Sequence, residues 1–272
     1  MKISHLNERI ATLKIALNDL LESLKKWRLW LYLGWADIKI RYRRSAIGPW
    51  WITISMGVFI LAMGAVYSRI LHQDVKSYMP FLTGGFLIWI FISTSINEAP
   101  DVFNSSKNFI SQIKLPFFIY IFRLTVRNSI ILAHNFLIYF LVIIFFRINP
   151  GWGLALVLPG FILIALNVTW LTLFLGVCGS RFRDLNPIVI SLVTITFFIS
   201  PITWGAKMLG TNSIILKLNP ITYFLEVFRD PILGITPPAS AWLIMLSMVV
   251  IGYSISLFLF SCFYHRIAFW VE

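Results

Sequence analysis

The chain alternates between long apolar runs and short polar segments. A helix needs about 20 apolar residues to cross a bilayer. Six runs approach or exceed that length, and they predict membrane-spanning helices at 46–68, 77–97, 117–146, 153–179, 186–204 and 240–263. The pattern therefore predicts an all-α membrane protein whose residues 45–272 form a six-span transmembrane domain.

The first 44 residues follow a different pattern. Apolar residues recur at helical spacing at Leu17, Leu20, Leu24, Trp27, Leu31, Trp35 and Ile38, and charged residues occupy the other side. A soluble amphipathic helix would show the same periodicity, but three tryptophans within nine residues favour the membrane surface. Residues 1–44 are therefore predicted to be a cytoplasmic N-terminus with an amphipathic helix in the interface.

Two polar stretches interrupt the apolar pattern farther along the chain. Residues 205–239 contain only short apolar pieces, which predict one or two re-entrant or interfacial helices between spans five and six. Residues 98–115 are bracketed by Pro100 and Pro116, and we expect a short helix within this loop.

Composition and charge narrow the class of protein. Hydrophobic residues make up 58% of the chain and charged residues 12%, which excludes an ordinary soluble enzyme and a disordered chain. The net charge of +12 would suit a nucleic-acid binder, but 10 of the 23 basic residues lie in the first 44 positions. Because basic loops face the cytoplasm, this placement predicts that both termini are cytoplasmic and that no nucleic acid is bound.

Recognisable catalytic chemistry is absent from the sequence. The chain contains no phosphate-binding loop of the form G-x-x-x-x-G-K-[ST], no H-E-x-x-H and no C-x-x-C. The two cysteines have no metal-binding spacing, so no metal site is expected. No Asp, Glu or Lys lies within the apolar spans, which disfavours an ion-coupled pump. We therefore expect neither an enzyme nor a bound cofactor.

Five arginines are candidates for binding an anionic substrate. Arg41, Arg43 and Arg44 precede the first span, and Arg123 and Arg127 lie one turn apart in the third. Arginine binds phosphate in bidentate fashion, so these residues suit the head group of a lipid-linked substrate where it enters from the cytoplasmic leaflet. Anchoring by the positive-inside rule is the alternative, and the sequence leaves both interpretations open.

Aromatic residues and charged loops supply two further candidate sites. Aromatic rings could line a channel for sugars, or could simply pack between helices or against lipid; the candidates are Phe59, Tyr67, Trp89, Phe197 and Phe198. The charged loops at 98–115 and 180–186 could dock a soluble partner or be plain solvated loops.

Several motifs, in order along the chain, resemble those of one transporter family. The segment from Ala36 to Trp51, A-D-I-K-I-R-Y-R-R-S-A-I-G-P-W-W, resembles the N-terminal motif of ABC transporter permeases that export polysaccharides. Further similar motifs are Asn104-Ser105, Lys114-Leu115-Pro116, Ser180 to Leu185, Ser200-Pro201-Ile202 and Leu218-Asn219-Pro220. The resemblance covers nearly the whole chain.

This resemblance implies a homodimer of permeases in the bacterial inner membrane, paired with two copies of a nucleotide-binding ATPase that holds ATP and Mg. It implies export of an undecaprenyl-pyrophosphate-linked polysaccharide, with O-antigen as the favoured substrate. The alternatives within this architecture are a capsule polysaccharide, a teichoic acid, a lipid or a drug. The residues implied to contact the ATPase are Asp101, Asn104, Ser105, Lys107, Phe109, Lys114, Arg181, Arg183 and Asp184. A secondary transporter or channel is the competing class.

Overall fold

The fold is entirely helical in the described residues of the computed structural model, which are 2–43, 45–48, 50–148, 150–210 and 213–271. Eleven α-helices occur there: α1 (Lys2–Lys25), α2 (Trp27–Arg41), α3 (Trp50–Ile70), α4 (Val75–Glu98), α5 (Lys107–Gln112), α6 (Phe118–Phe146), α7 (Leu154–Arg181), α8 (Leu185–Ile199), α9 (Ile214–Leu218), α10 (Pro220–Ile232) and α11 (Ala239–Val271). The short helix expected within 98–115 is α5, and residues 205–239, where one or two short helices were expected, contain α9 and α10.

Within the described part of the chain, five helices are long and apolar enough to cross a membrane. They are Trp50–Ile70, Val75–Asp101, Phe118–Phe146, Gly151–Arg181 and Ala239–Val271. The run predicted to form the span at 186–204 is helical only over the 15 residues of α8. Ser200 is extended because it precedes Pro201, which disfavours the helical conformation. At about 22 Å, α8 is shorter than the hydrocarbon core of a bilayer, about 30 Å.

Three polar side chains hold the turn that follows α8. The Tyr78 hydroxyl donates to the carbonyl of Thr203 at 2.7 Å, and the Asn219 amide donates to Ser200 Oγ at 2.8 Å. The buried Arg229 guanidinium donates to the carbonyl of Pro201 at 2.6 Å. The bonds from Tyr78 and Arg229 satisfy carbonyls of irregular backbone within an apolar bundle, where an unpaired carbonyl is costly.

The N-terminal amphipathic segment is two helices, because a turn at Lys26 separates α1 from α2. Most of the predicted apolar stripe is exposed, including Leu17, Leu24 and Trp27. Ile38 is instead buried on the face that α2 turns toward α6. Gly34 lies on this same face, and the absence of a side chain there allows the close approach of Val126.

The last helix, α11, continues well past the predicted end of its span at residue 263. Phe260, Ile267 and Val271 continue the buried stripe at helical spacing, and they pack in a hydrophobic cluster with Ala16 of α1. A second, larger cluster joins α3, α4, α6, α7, α10 and α11. The residues 265–271, expected as a tail, are helical because α1 covers their apolar face.

Glycines on α7 allow two neighbouring backbones to come close. A Cβ atom at Gly160 would lie under 3.0 Å from the carbonyl of Val227 in α10, and one at Gly179 would meet Pro100 equally closely. Small residues at such contacts let membrane helices pack tightly.

We predict that Gly160→Ala destabilises the protein by about 1–3 kcal/mol, because backbone must shift to admit the methyl group. The melting temperature of the detergent-purified protein should fall. Gly57→Ala is the matched control, since its nearest neighbouring atom would lie 4.0 Å away. Equal melting temperatures for the two variants would contradict the close α7–α10 contact.

Candidate functional site

Arg123 and Arg127 of α6 are paired with carboxylates from two other helices. Arg123 donates twice to Asp37 of α2, at 2.8 Å from Nε and 2.6 Å from a terminal nitrogen. Arg127 is hydrogen-bonded to Glu98 at the end of α4 and lies 3.8 Å from Asp37. Asn128 also donates to Glu98, at 3.2 Å. We call these residues, Asp37, Glu98, Arg123 and Arg127, the ion-pair cluster.

The ion-pair cluster lies near the N-terminal end of α6, closer to that end than the level at which α3 begins. Thr53, in the first turn of α3, donates to the carbonyl of His134 at 3.3 Å. His134 lies seven residues beyond Arg127, or about 11 Å along the helix. The two arginines are therefore not at the centre of the bundle, where an unpaired charge would cost about 2.5–3.5 kcal/mol.

A polar cavity of about 350 Å³ opens beside the ion-pair cluster. Asp101 and all four cluster residues line it, so three carboxylates face two guanidinium groups. Three further lining atoms have no hydrogen-bond partner among the described residues: Asn97 Oδ1, Asn186 Oδ1 and the hydroxyl of the buried Tyr120. A phosphate group entering this cavity would have to displace Asp37 or Glu98 from the arginines.

The remaining arginines predicted to meet the substrate lie beside this cavity or outside the described residues. Arg41 is about half exposed, and its guanidinium lies 3.8 Å from Glu98. Arg43 is exposed. Arg44 falls outside the described residues. Arg41 is thus brought to the ion-pair cluster while keeping much of its surface in solvent.

The two loops predicted to contact a partner are neighbours in the fold. Asn186, at the start of α8, donates to the carboxylate of Asp101, and Pro100 packs against Gly179 of α7. Asp101 and Asn104 are half-buried; the exposed members of the predicted set are Ser105, Lys107, Phe109, Lys114, Arg181, Arg183 and Asp184. We call residues 99–117 the 99–117 loop and residues 181–184 the 181–184 turn. The exposed side chains of these two neighbouring segments therefore form one surface.

The ion-pair cluster touches the 99–117 loop directly. The guanidinium of Arg123 lies over the ring of Phe109, 5.4 Å from its centroid, while it also binds Asp37. One arginine therefore contacts α2, α5 and its own helix, so that a shift of α5 reaches α2 through a single side chain.

Four of the five aromatic residues predicted to line a channel join in one chain of rings. Phe59 contacts Phe86 at 5.0 Å between centroids, and Phe197 contacts Phe86, Trp89 and Phe198 at 5.8, 5.7 and 5.3 Å. Trp89 is buried and Phe198 is exposed. Tyr67 is half-buried and packs at the edge of the larger hydrophobic cluster, the one that joins α3, α4, α6, α7, α10 and α11. This chain of rings connects α3, α4 and α8.

Sequence reasoning missed Asp37, Glu98 and Asn186. A signal existed for the two acids, because Asp37 is the one carboxylate among the basic residues from Lys25 to Arg44 and Glu98 ends an uncharged run. Two arginines in an apolar helix require partners, and these were available. Asn186 carried no such signal. Among the described residues no group of three or more His, Cys, Asp or Glu could hold a metal ion.

We predict that Asp37 and Arg123 contribute to stability as a coupled pair. A double-mutant cycle of Asp37→Ala and Arg123→Ala should give a coupling energy of at least about 1 kcal/mol in unfolding of the detergent-purified protein. A second cycle, pairing Arg123→Ala with Lys39→Ala, is the matched control, since Lys39 is exposed on the same helix. Additive effects in both cycles would contradict the pairing.

Comparison with known proteins places these features in one family. A family model described as ABC-2 type transporter matches residues 28–233, well over half of the chain. An O-antigen export system permease protein RfbA of Myxococcus xanthus is 25% identical over 197 residues, which cover 71% of this chain and 75% of that protein. Two proteins of the same description from Klebsiella pneumoniae are 22% and 21% identical over 203 residues, covering 71% of this chain and 76% of each protein.

These matches confirm the resemblance to an ABC transporter permease. The apolar helices agree with a protein that crosses a membrane several times. The chain belongs to the ABC-2 type transporter family, as a multi-pass membrane permease subunit.

Proposed function

We propose that this chain is the permease of an ATP-driven exporter that moves an undecaprenyl-pyrophosphate-linked polysaccharide outward across the bacterial inner membrane. O-antigen is the substrate that we favour. The observation that carries the proposal is the similarity to three O-antigen export permeases over about 200 residues each. ATP and Mg are held by a separate ATPase, which fits the absence of a phosphate-binding loop from this chain.

The surface formed by the 99–117 loop and the 181–184 turn is where the ATPase docks. The loop exposes a mixture of apolar and basic side chains, among them Phe109, Ile113 and Lys114. An exposed apolar side chain on a short polar loop suits a partner surface. Movement of this surface reaches α2 through Arg123 and α8 through the Asp101–Asn186 hydrogen bond.

The substrate enters beside α2 at the cytoplasmic leaflet. Arg41 and Arg43 present exposed guanidinium groups there, and together with Arg44 they attract the pyrophosphate. Because Asp37 and Glu98 neutralise Arg123 and Arg127, these two act on the substrate only when the ion-pair cluster opens. Exposed Trp27 and Trp35 of α2 rest in the interface.

Two copies of the chain enclose the translocation path. Apolar stripes at helical spacing are exposed on α3, at Ile54, Val58 and Leu61, and on α8, at Ile188, Leu192, Ile195 and Ile199. In the homodimer these stripes turn toward the second copy. The ring chain from Phe59 to Phe198 lies between the same two helices and lets sugar rings slide by stacking.

The chain crosses the membrane six times, with α8 and its following turn as the fifth crossing. The start of α8 is bonded to Asp101, at one end of α4, and the turn after α8 is bonded to Tyr78, at the other end. The path from Asn186 to Thr203 thus runs the length of α4. Six crossings leave both termini in the cytoplasm and make α9 and α10 re-entrant helices on the outer side.

We predict that Lys107→Glu combined with Phe109→Ala lowers the amount of ATPase that co-purifies with the permease at least about tenfold, as loss of about 1.4 kcal/mol or more of binding energy requires. Surface polysaccharide should fall in parallel, and lipid-linked polymer should accumulate inside the cell.

The matched control for this variant is Val75→Ala combined with Lys76→Glu. It alters an exposed apolar and an exposed basic side chain at the start of α4, the end of that helix remote from the 99–117 loop. It should retain both the ATPase and the surface polysaccharide. Wild-type recovery of the ATPase by the variant at 107 and 109 would refute the docking surface. An unchanged amount of surface polysaccharide in a strain that lacks the chain would refute the proposal that the chain exports this polysaccharide.

We also predict the sidedness of the two loops. In a chain without its native cysteines, an impermeant thiol reagent applied to whole cells with a permeable outer membrane should label Met208→Cys and spare Lys107→Cys. Both positions are exposed, so access alone does not distinguish them. Permeabilising the inner membrane should allow labelling at 107. The reverse pattern in intact cells would place the termini outside.

A further inference from the structure

A separate group of contacts lies where the 99–117 loop ends and α6 begins. Asp19 of α1 is buried, and its two carboxylate oxygens accept hydrogen bonds from the backbone N–H groups of Phe117 and Phe118, at 2.9 and 3.0 Å. These are orphan donors of the first turn of α6, which usually receive a cap from the residue preceding the helix. Here the cap comes from 98 residues earlier in the chain.

The Asp19 carboxylate has a third partner on the last helix. The hydroxyl of Tyr264 in α11 interacts with it. Burial raises the pKa of Asp19, while the hydrogen bonds from Phe118, Phe117 and Tyr264 oppose that rise. Each carboxylate oxygen accepts one of the two N–H bonds, whereas an asparagine of the same shape would offer a single acceptor oxygen.

Aromatic rings pack around Phe117, whose backbone N–H binds this carboxylate. The Phe117 ring meets Phe103, Phe260 and Tyr264 edge to face, at 5.5, 6.0 and 5.4 Å between centroids. Phe103 lies near the start of the same loop, and Phe117 ends it. Both ends of the 99–117 loop are therefore gathered at one point, against α1 on one side and α11 on the other.

The last helix, α11, also reaches the neighbouring 181–184 turn. The Arg181 guanidinium lies over the ring of Trp270 in α11, 5.7 Å from its centroid, and α11 contacts α5 as well. All of α1 and all of α11 lie outside residues 28–233, the part of the chain that matches the family. The contacts around Asp19 thus join the family's common framework to segments at the two ends of this chain.

We infer that Asp19 is a positioning residue, and that α1 with residues 260–271 of α11 forms a brace that holds the 99–117 loop in the geometry that the ATPase recognises. This inference rests on the proposed function for the identity of the partner. The brace acts at the base of the loop, where Asp19 and Phe260 are buried, so these two residues shape the docking surface without forming part of it. A loop pinned at both ends presents α5 to the partner at a lower entropic cost than a loose loop.

The test compares Asp19→Ala and Asp19→Asn with the matched control Glu22→Gln, which removes an exposed carboxylate from the same helix. Hydrogen exchange in the purified full-length chain should be at least about fivefold faster at amides 117–121 in Asp19→Ala, with a smaller change in Asp19→Asn, because asparagine keeps one acceptor. Glu22→Gln should match the wild type.

The second measurement is the dissociation constant of each variant for the purified ATPase subunit. It should rise about tenfold for Asp19→Ala, less for Asp19→Asn and not at all for Glu22→Gln. A purely structural role would lower the melting temperature of the permease and leave the affinity of its folded fraction unchanged, so that result would overturn the inference.

Unchanged exchange at 117–121 in Asp19→Ala would also overturn it, since the cap would then contribute nothing to the loop. Failure of the wild-type chain to bind any ATPase would instead remove the proposed function. The exchange measurement, which needs no partner, would then still decide whether the brace holds the loop.

Discussion

Arginine side chains placed in an apolar bundle must be neutralised, and this requirement determines where α2, α4 and α6 meet at one end of the bundle. Arg123 and Arg127 project from α6, and the carboxylates that satisfy them come from α2 and from the end of α4. Leaving a buried charge without its partner costs several kcal/mol, so neither helix can move away independently. The position of α2 along α6, and the polar cavity beside them, follow from this pairing.

The apolar pattern predicted most of the helices, because length and hydropathy act locally. It did not predict that the span at 186–204 stops at Ile199, although Pro201 is a local signal for that end. The turn that follows could not be predicted, since it depends on hydrogen bonds from Tyr78, Asn219 and Arg229, all distant in sequence. Nor could the pattern show that residues after 263 stay helical, because the surface that covers them belongs to α1. Helix ends are set by tertiary partners more than by the residues that form them.

The candidate site was predicted as separate pieces. Basic residues and charged loops were visible in the sequence, but only the fold shows that Arg123 contacts Asp37 and Phe109 at once. The sequence therefore identified which side chains were unusual and left their partners unassigned. Pairings across 86 residues, as between Asp37 and Arg123, leave no local periodicity to read.

The length of α11 has a mechanical consequence. Its 33 residues make a rod of about 50 Å, and Gly252 packs against the Trp170 ring near its middle. Val271 lies 19 residues, or about 28 Å, from that contact. A tilt of about 10° around Gly252 would sweep the C-terminal tip through about 5 Å, roughly the rise of one helical turn. Small rotations within the bundle are thereby converted into displacements large enough to exchange one set of side-chain contacts for the next.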